Sequence, residues 1–141
     1  MAVTLVPYLN FAGNTAEAMR YYQGIFGGRV EIATFADFGV EGMPADGTMH
    51  ASLAGDQVSL MASDAMGGAE ATWGTMRVYL SLAGDELGLL TGWFDRLAAD
   101  GTVSQPLAKQ VWGDVYGMVT DKFGLEWMFN ISDTERAAHP D

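Results

Sequence analysis

The feature that most constrains this chain is a repeat between its two halves. The stretch Tyr8–Asn14 (YLNFAGN) aligns with Tyr79–Asp85 (YLSLAGD), 71 positions later, and Tyr, Leu, Ala and Gly match in place. Each stretch begins as a short apolar run of the kind that forms a buried strand. Each is followed by apolar residues at helical spacing, so we expect a strand and then an amphipathic helix in both halves.

The two predicted helices carry matching start and stop signals. Asn14, with Glu17 three residues later, predicts a capping box in which both side chains satisfy free N–H groups of the first turn. Asp85 is the corresponding predicted cap of the second helix. Gly27-Gly28 ends the first helical pattern and Asp100-Gly101 ends the second, since glycine takes the left-handed conformation at no steric cost.

Strand-like segments follow each helix and complete the repeat. In chain order they are residues 29–35, 49–54 and 57–62 in the first half, and 103–111, 115–120 and 125–131 in the second. Turns at 54–56 and 121–124 predict a hairpin between the last two strands of each half.

Each half therefore reads β-α-β-β-β, which predicts an α+β fold of two tandem modules. The modules are residues 4–62 and 75–131, joined by a connector at 63–74 and followed by a polar tail at 133–141. Chance similarity between two ordinary strand-to-helix units is the alternative to a true repeat.

Composition excludes several classes of function. Seven Lys and Arg against 18 Asp and Glu give a net charge of −11, which repels phosphate backbones and anionic lipids, so we expect no nucleic-acid partner and no membrane partner. The absence of Cys excludes thiol catalysis, disulfides and thiolate metal sites. No apolar run reaches the length of a membrane span, and the N-terminus has no secretory pattern, so we expect a cytoplasmic protein.

Three stretches carry a resemblance to a known superfamily: Pro7–Phe11 continuing through 18–27, Met49–Ala51, and Trp112–Trp127. With their spacing they cover about residues 4–131, and the last stretch is the most specific. The chain resembles the vicinal oxygen chelate superfamily of glyoxalases, bleomycin-resistance proteins and extradiol dioxygenases. Within it, the chain is most similar to the PhnB-like (3-demethylubiquinone methyltransferase-like) branch.

This resemblance implies the architecture and the assembly. It implies a single domain over residues 1–141, in which two βαβββ modules form a curved mixed sheet around a cavity. It also implies a homodimer, a state common in this superfamily.

The resemblance also bears on a metal site. Metal-dependent members place His or Glu on the first and last strand of each module, and those positions fall near Pro7, Met61, Val78 and Met128 here. Pro and Val have no donor and thioether sulfur is soft, so none of these side chains suits a hard divalent ion. We therefore predict no metal and no other cofactor, with a noncanonical divalent metal site as the alternative.

Two side chains are candidates for acid–base chemistry. His50 shares its predicted strand face with Thr48 and Ser52 and is the only His in the predicted core, so it could act as an acid or base near neutral pH. Glu126 shares a face with Met128 and could take a proton from a carbon acid. The alternatives are a structural, hydrogen-bonded His50 and an exposed edge-strand Glu126.

The candidate substrate-binding residues are aromatic and apolar. Tyr116 occupies the place of His50 in the second module, and Trp112 lies in a Gly-flanked stretch where it could stack on a flat ligand. We expect these three side chains to face one cavity, although ordinary packing roles remain open for each. The expected apolar lining consists of Leu9, Phe11, Met61 and Met128.

Two classes of function stay open. The first is a small-molecule-binding protein without a metal, which binds or sequesters a largely apolar ligand. It is favoured by the apolar lining and by the lack of a phosphate-cradling or nucleotide motif. The second is an enzyme of the same superfamily, either a metal-dependent lyase or dioxygenase, or a metal-free acid–base catalyst that uses His50 and Glu126.

Overall fold

The computed structural model describes residues 3–64 and 73–132. The chain divides into two compact units, Met1–Thr72 and Trp73–Asp141, and the boundary falls inside the predicted connector. Residues 65–72 of that connector and the predicted tail at 133–141 lie outside the described residues.

Both units have the same order of elements. The first contains β1 (Tyr8–Phe11), α1 (Thr15–Phe26), β2 (Arg29–Thr34), β3 (Thr48–Ala54) and β4 (Ser59–Asp64), with a short 3-10 turn at Ala36–Phe38 after β2. The second contains β5 (Leu80–Gly84), α2 (Leu87–Ala99), β6 (Thr102–Lys109), β7 (Val115–Thr120) and β8 (Glu126–Ile131). The predicted β-α-β-β-β order is confirmed in both halves.

Each unit builds one four-stranded mixed sheet. The strand orders are β1-β4-β3-β2 and β5-β8-β7-β6. In each sheet the first strand runs parallel to the last, and the other neighbouring pairs are antiparallel. The predicted α+β class is therefore confirmed, and the last two strands of each unit form the hairpins that the turns predicted.

The helix of each unit covers one face of its own sheet. α1 packs on β2, β3 and β4, and α2 packs on all four strands of the second sheet. Alternate strand residues are buried on this side: Leu60 and Ala62 in β4, and Trp127, Phe129 and Ile131 in β8. The helices contribute Ala18, Met19, Tyr22, Ile25, Phe26, Leu90, Trp93, Phe94 and Leu97 to these cores.

The face opposite the helix is called the open face here. It carries the intervening residues of the same strands, because successive side chains of a strand point to opposite faces. They are Ser59, Met61 and Ser63 in β4, and Glu126, Met128 and Asn130 in β8. Met61 and Met128 are each the third residue of the last strand of their unit, so they occupy equivalent positions.

The start of α1 differs from the prediction. Asn14 makes no side-chain capping bond. Instead, Asp64 at the end of β4 accepts the Thr15 N–H at Oδ1 (3.1 Å) and the Thr48 N–H at Oδ2 (2.9 Å). The predicted capping box is therefore wrong, because a carboxylate from a distant strand satisfies the helix terminus and meets its dipole favourably.

The other helix boundaries are partly as predicted. The residue that precedes α2 is Glu86, which makes no side-chain capping bond, so the predicted cap at Asp85 is wrong. At the end of α1, Gly27 and Gly28 have φ values of 77° and 97°. This confirms the glycine stop, since L side chains rarely adopt that conformation.

The repeat keeps its topology but not the register that the sequence suggested. Tyr8 lies across from Met61, whereas Ser81 lies across from the equivalent Met128. Tyr8 therefore corresponds to Ser81, and the sequence alignment with Tyr79 is two residues out of register. A shift of two preserves the face on which a residue lies, because the side-chain period of a strand is two.

Neither helix in the described part of the chain is long and apolar enough to cross a bilayer. They contain 12 and 13 residues, against the roughly 20 that a membrane-spanning helix needs.

Candidate functional site

The open face of the first sheet carries polar side chains around Met61. Tyr8 extends from β1 over β4 to His50 on β3, where the phenol oxygen lies 3.1 Å from Nδ1 of the imidazole. The two ring centroids are 5.7 Å apart. Beside this pair, the Ser63 hydroxyl donates to Oδ1 of Asn10 at 3.1 Å. The face therefore combines a thioether, an imidazole and neutral hydrogen-bonding groups.

His50 and Met61 are the predicted site residues that this face holds, and Tyr8 is the residue that sequence reasoning missed. In the sequence, Tyr8 belongs to the repeat and to the Pro7–Phe11 stretch of the resemblance, and it lies 42 positions from His50. No local pattern signals the contact, because the two residues are brought together by the order β1-β4-β3.

The open face of the second sheet is more aromatic. The rings of Trp112 and Tyr116 lie 6.1 Å apart in an edge-to-face arrangement with an interplanar angle of 67°, and Trp112 is 50% exposed. Tyr116 lies across from Asn130, whose Nδ2 donates to Oδ2 of the buried Asp114 at 3.0 Å. Met128 lies in the same strand as Asn130, two residues earlier, on the same face.

Glu126 is bound to the segment that leads into β5. Its Oε1 accepts the backbone N–H of Met76 at 2.7 Å, and Met76 has φ 60°, the sole positive φ among the described non-glycine residues. The pKa of the Tyr79 phenol is raised above its ordinary 10.0, first by burial, then by the negative charge of Glu126, by Tyr116 and by a hydrogen bond to Glu126. Glu126 thus has structural contacts, and its role as a proton acceptor stays a prediction.

Leu9 and Phe11 lie on the opposite face from Met61, which corrects their predicted place. Leu9 is 6% and Phe11 2% exposed, and Leu9 lies across from the buried Ala62. The residues between and before them, Tyr8 and Asn10, are the ones on the open face. Leu9 and Phe11 are therefore core residues on the helix side of the first sheet, because adjacent strand residues point to opposite sides.

The structure brings the predicted residues together in two groups, each inside one unit. His50 and Met61 share the open face of the first sheet. Tyr116, Glu126 and Met128 share that of the second sheet, with the Trp112 ring against Tyr116. The expected cavity that His50, Trp112 and Tyr116 face together would involve residues of both units, and it stays a prediction.

The stretch that carries the resemblance most specifically builds the β7–β8 hairpin. Oδ1 of Asp121 accepts the backbone N–H groups of Phe123 (2.8 Å) and Leu125 (3.1 Å). Its Oδ2 accepts the indole N–H of Trp127 at 2.8 Å. Asp121 is 4% and Trp127 1% exposed, so these residues hold a turn and a core together rather than contact a ligand.

The donor set does not fit a hard divalent ion. Residues 3–64 and 73–132 contain no group of three or more His, Asp or Glu side chains arranged to hold a metal. At the positions suggested by the resemblance, Met61 and Met128 offer thioethers and Val78 offers an exposed apolar side chain. The carbonyl of Pro7 accepts the Met61 N–H at 3.0 Å and is thereby part of the sheet.

A separate pocket of about 240 Å³ opens in the second unit at the start of α2. Val115 and Ile131 form a strand pair in its wall, on the helix side of the sheet. None of the predicted site residues lines it. Its remaining lining residues are Asp85, Leu87, Lys109, Gly113 and Ser132.

Sequence and structure both have known relatives. Residues 4–129 match the family profile of the Glyoxalase/Bleomycin resistance protein/Dioxygenase superfamily. The chain belongs to this superfamily. Protein YjdN from Escherichia coli (strain K12) is 33% identical over 140 residues, which cover 90% of this chain and 94% of that protein.

Two solved structures extend the comparison. The crystal structure of protein PA1353 from Pseudomonas aeruginosa has a TM-score of 0.75 and 36% identity, over 93% of this chain and 98% of that one. The PhnB protein from Bacillus cereus has a TM-score of 0.74 and 23% identity, over 92% and 100% of the two chains. The predicted superfamily and its PhnB-like neighbours are confirmed, and the second structure supports the fold alone.

Proposed function

We propose that this protein binds a small, largely apolar organic molecule on the open faces of its sheets, without a resident metal ion. The observation that carries the proposal is the equivalent pair Met61 and Met128, which place a thioether on the last strand of each sheet. Metal-dependent members of the superfamily are expected to have a His or Glu there. Methionine instead adapts its flexible, polarizable side chain to apolar ligands of irregular shape.

The neighbours of the two methionines support the same class of ligand. Trp112 and Tyr116 offer aromatic surface for a flat ring. Tyr8 and His50 offer a few polar atoms that can orient the ligand. The net charge of −11 disfavours an anionic ligand, so a neutral molecule fits best.

Elemental analysis of the purified protein tests the absence of a metal. We expect no divalent metal at one equivalent per chain and no change in melting temperature after treatment with a chelator. A stoichiometric ion whose removal lowers the melting temperature would overturn this part of the proposal, because binding to the native state stabilises it.

A thermal-shift screen of neutral aromatic metabolites and antibiotics tests the binding. For any ligand found, His50→Ala and Trp112→Ala should each weaken binding about tenfold, while the free energy of unfolding changes by less than about 1 kcal/mol. The control is Gln57→Ala, which alters an exposed residue in the turn between β3 and β4 and should change neither quantity. Variants that bind as tightly as the unchanged protein would contradict the proposed surface.

Acid–base catalysis is a second candidate function, and the hydrogen bond between Tyr8 and His50 favours it. A third group that orients a histidine is a recurring feature of acid–base sites. The test is proton–deuterium exchange at carbon adjacent to a carbonyl group in the ligands that bind. Exchange that is lost in His50→Ala supports catalysis, and a lack of exchange for every bound ligand contradicts it.

We further propose a cytoplasmic homodimer. The homodimer rests on the superfamily alone. Light scattering should give a particle of twice the chain mass of 15.1 kDa. A particle of the single-chain mass at micromolar concentration would contradict the dimer.

A further inference from the structure

The direction of the hydrogen bond between Tyr8 and His50 depends on the tautomer of the imidazole. A neutral imidazole has one nitrogen that donates and one that accepts. The phenol oxygen of Tyr8 lies 3.1 Å from Nδ1 of His50. A phenol O–H is a good donor and its oxygen a weak acceptor, whereas an unprotonated imidazole nitrogen is a strong acceptor. The favoured arrangement is therefore a bond donated by Tyr8 to Nδ1, which leaves the ring proton on Nε2.

Three neighbours of His50 on the open face are apolar or are bonded elsewhere. Ala33 lies opposite on β2 and is apolar. On β4, Ser63 donates its hydroxyl to Asn10. Glu31, on the same face of β2, is paired with Arg29 at 3.3 Å. Among the residues of the chain that the structure describes, Tyr8 is the hydrogen-bond partner of the ring.

We propose that Tyr8 is a positioning residue that fixes His50 as a donor of the Nε2 hydrogen bond to the ligand. The ligand class is then an apolar or aromatic molecule with a neutral acceptor oxygen, such as a ketone, an ester or an amide. Met61 lies beside the pair on the same face and contacts the apolar part. The ligand class rests on the proposed function, whereas the tautomer of His50 does not.

The tautomer is tested first, in the ligand-free protein, by nitrogen NMR of the imidazole. The chain has two histidines, so His139→Gln leaves His50 as the only signal. We expect Nδ1 to be unprotonated and Nε2 protonated. Tyr8→Phe, which removes only the hydroxyl, should move the Nδ1 resonance, while Tyr21→Phe on α1 should not. A protonated Nδ1, or an Nδ1 resonance that Tyr8→Phe leaves in place, overturns the inference.

The donor role is tested with two probes of similar shape, acetophenone and ethylbenzene. Binding is followed on the labelled Met61 methyl group, whose signal is assigned with Met61→Leu. Acetophenone should bind about fivefold more tightly, as expected for one added hydrogen bond. Tyr8→Phe should reduce this preference to about twofold or less, and Tyr21→Phe should preserve it.

Each outcome of the probe experiment has one meaning. Equal affinity for the two probes, or a preference that survives Tyr8→Phe, overturns the donor role. If neither probe moves the Met61 signal at millimolar concentration, the proposed apolar binding face is wrong. The NMR of the ligand-free protein still decides whether Tyr8 fixes the tautomer.

Discussion

His50 in the first unit and Tyr116 in the second occupy equivalent places in the two hairpins, yet they take different partners. His50 is bonded to Tyr8 over β4, whereas Tyr116 packs edge to face against Trp112. The strand orders and the parallel or antiparallel directions of the strands around them are the same. The comparison teaches that the open faces differ in chemistry, although the strand order and strand directions beneath them are the same.

Buried and half-buried carboxylates also serve the two units differently. In the first unit, Asp64 ties the end of β4 to the start of α1 and of β3. The equivalent sixth residue of β8 is the buried Ile131, which is apolar. In the second unit, Asp121 instead ties the hairpin turn at the other end of the sheet to Trp127. These two carboxylates thus accept backbone N–H groups at opposite ends of their respective sheets.

The largest expected effect is a difference in stability cost between matched substitutions in the two hairpin turns. Asp121→Ala leaves two backbone N–H groups and the Trp127 indole N–H without their acceptor, so we expect a loss of about 3 kcal/mol in the free energy of unfolding. The matched change Asp56→Ala, at an exposed residue of the first turn, should cost less than about 0.5 kcal/mol. Urea denaturation measures both. Similar losses for the two variants would show that the turns do not differ as described.

Removal of the Asp64 carboxylate from the first unit should have the next largest effect on the free energy of unfolding. Asp64→Ala deprives Thr15 and Thr48 of an acceptor and removes a negative charge from the start of α1, which should cost about 2 kcal/mol. Asp46→Ala, at an exposed residue in the same unit, is the control of equal charge. The measurement is again urea denaturation, and equal stability of the two variants would refute the anchoring role.

A smaller difference is expected between two equivalent polar residues on the open faces. Asn130→Ala removes the bond to Asp114, which is 8% exposed, so we expect a cost of about 1.5 kcal/mol. Ser63→Ala removes the exposed bond to Asn10 and should cost about 0.5 kcal/mol. Thermal unfolding of both variants compares them directly. The reverse order would mean that the bond from Asn130 to Asp114 contributes less to stability than the exposed bond from Ser63 to Asn10.

The smallest expected effect is a loss of stability at alkaline pH, which arises from Tyr79 in the second unit. The pKa of Tyr79 is raised above 10.0 in the folded protein by burial and by Glu126. The stability from this phenol is therefore complete below the unfolded pKa of about 10 and is lost as the pH rises through the higher folded value. Ultraviolet titration should show one late-ionising tyrosine that disappears in Tyr79→Phe. Tyr21→Phe is the control and should leave that late step in place.

Much of the fold could be predicted from local patterns. The apolar period of residues 18–26 and the glycines after it predict α1 and its end, and both are confirmed. The turn at Asp121–Gly124 predicts the second hairpin. These features depend on neighbours within a few positions, so a single sequence contains the whole signal.

The site could be predicted only in part. Residue type pointed to His50, Tyr116 and Trp112, and the alternation along β3 predicted that His50 lies on the opposite face from Ala51 and Leu53, as the burial pattern shows. Which residues of β1 face the core could not be predicted in the same way, because Tyr8–Phe11 is apolar or aromatic at three of its four positions. Leu9 and Phe11 were therefore expected beside Met61, although their burial on the helix side of the sheet places them on the other face.

The sequence by itself determined the two β-α-β-β-β modules, their approximate boundaries and the residue types available for binding. Only the tertiary structure decided the partners: Tyr8 for His50 across 42 positions, and Asp64 for Thr15 across 49. The physical reason is that a local pattern records which residues can form a helix or strand. Hydrogen bonds between distant residues depend on the strand order and register, and these are set by burial of the whole sheet against its helix.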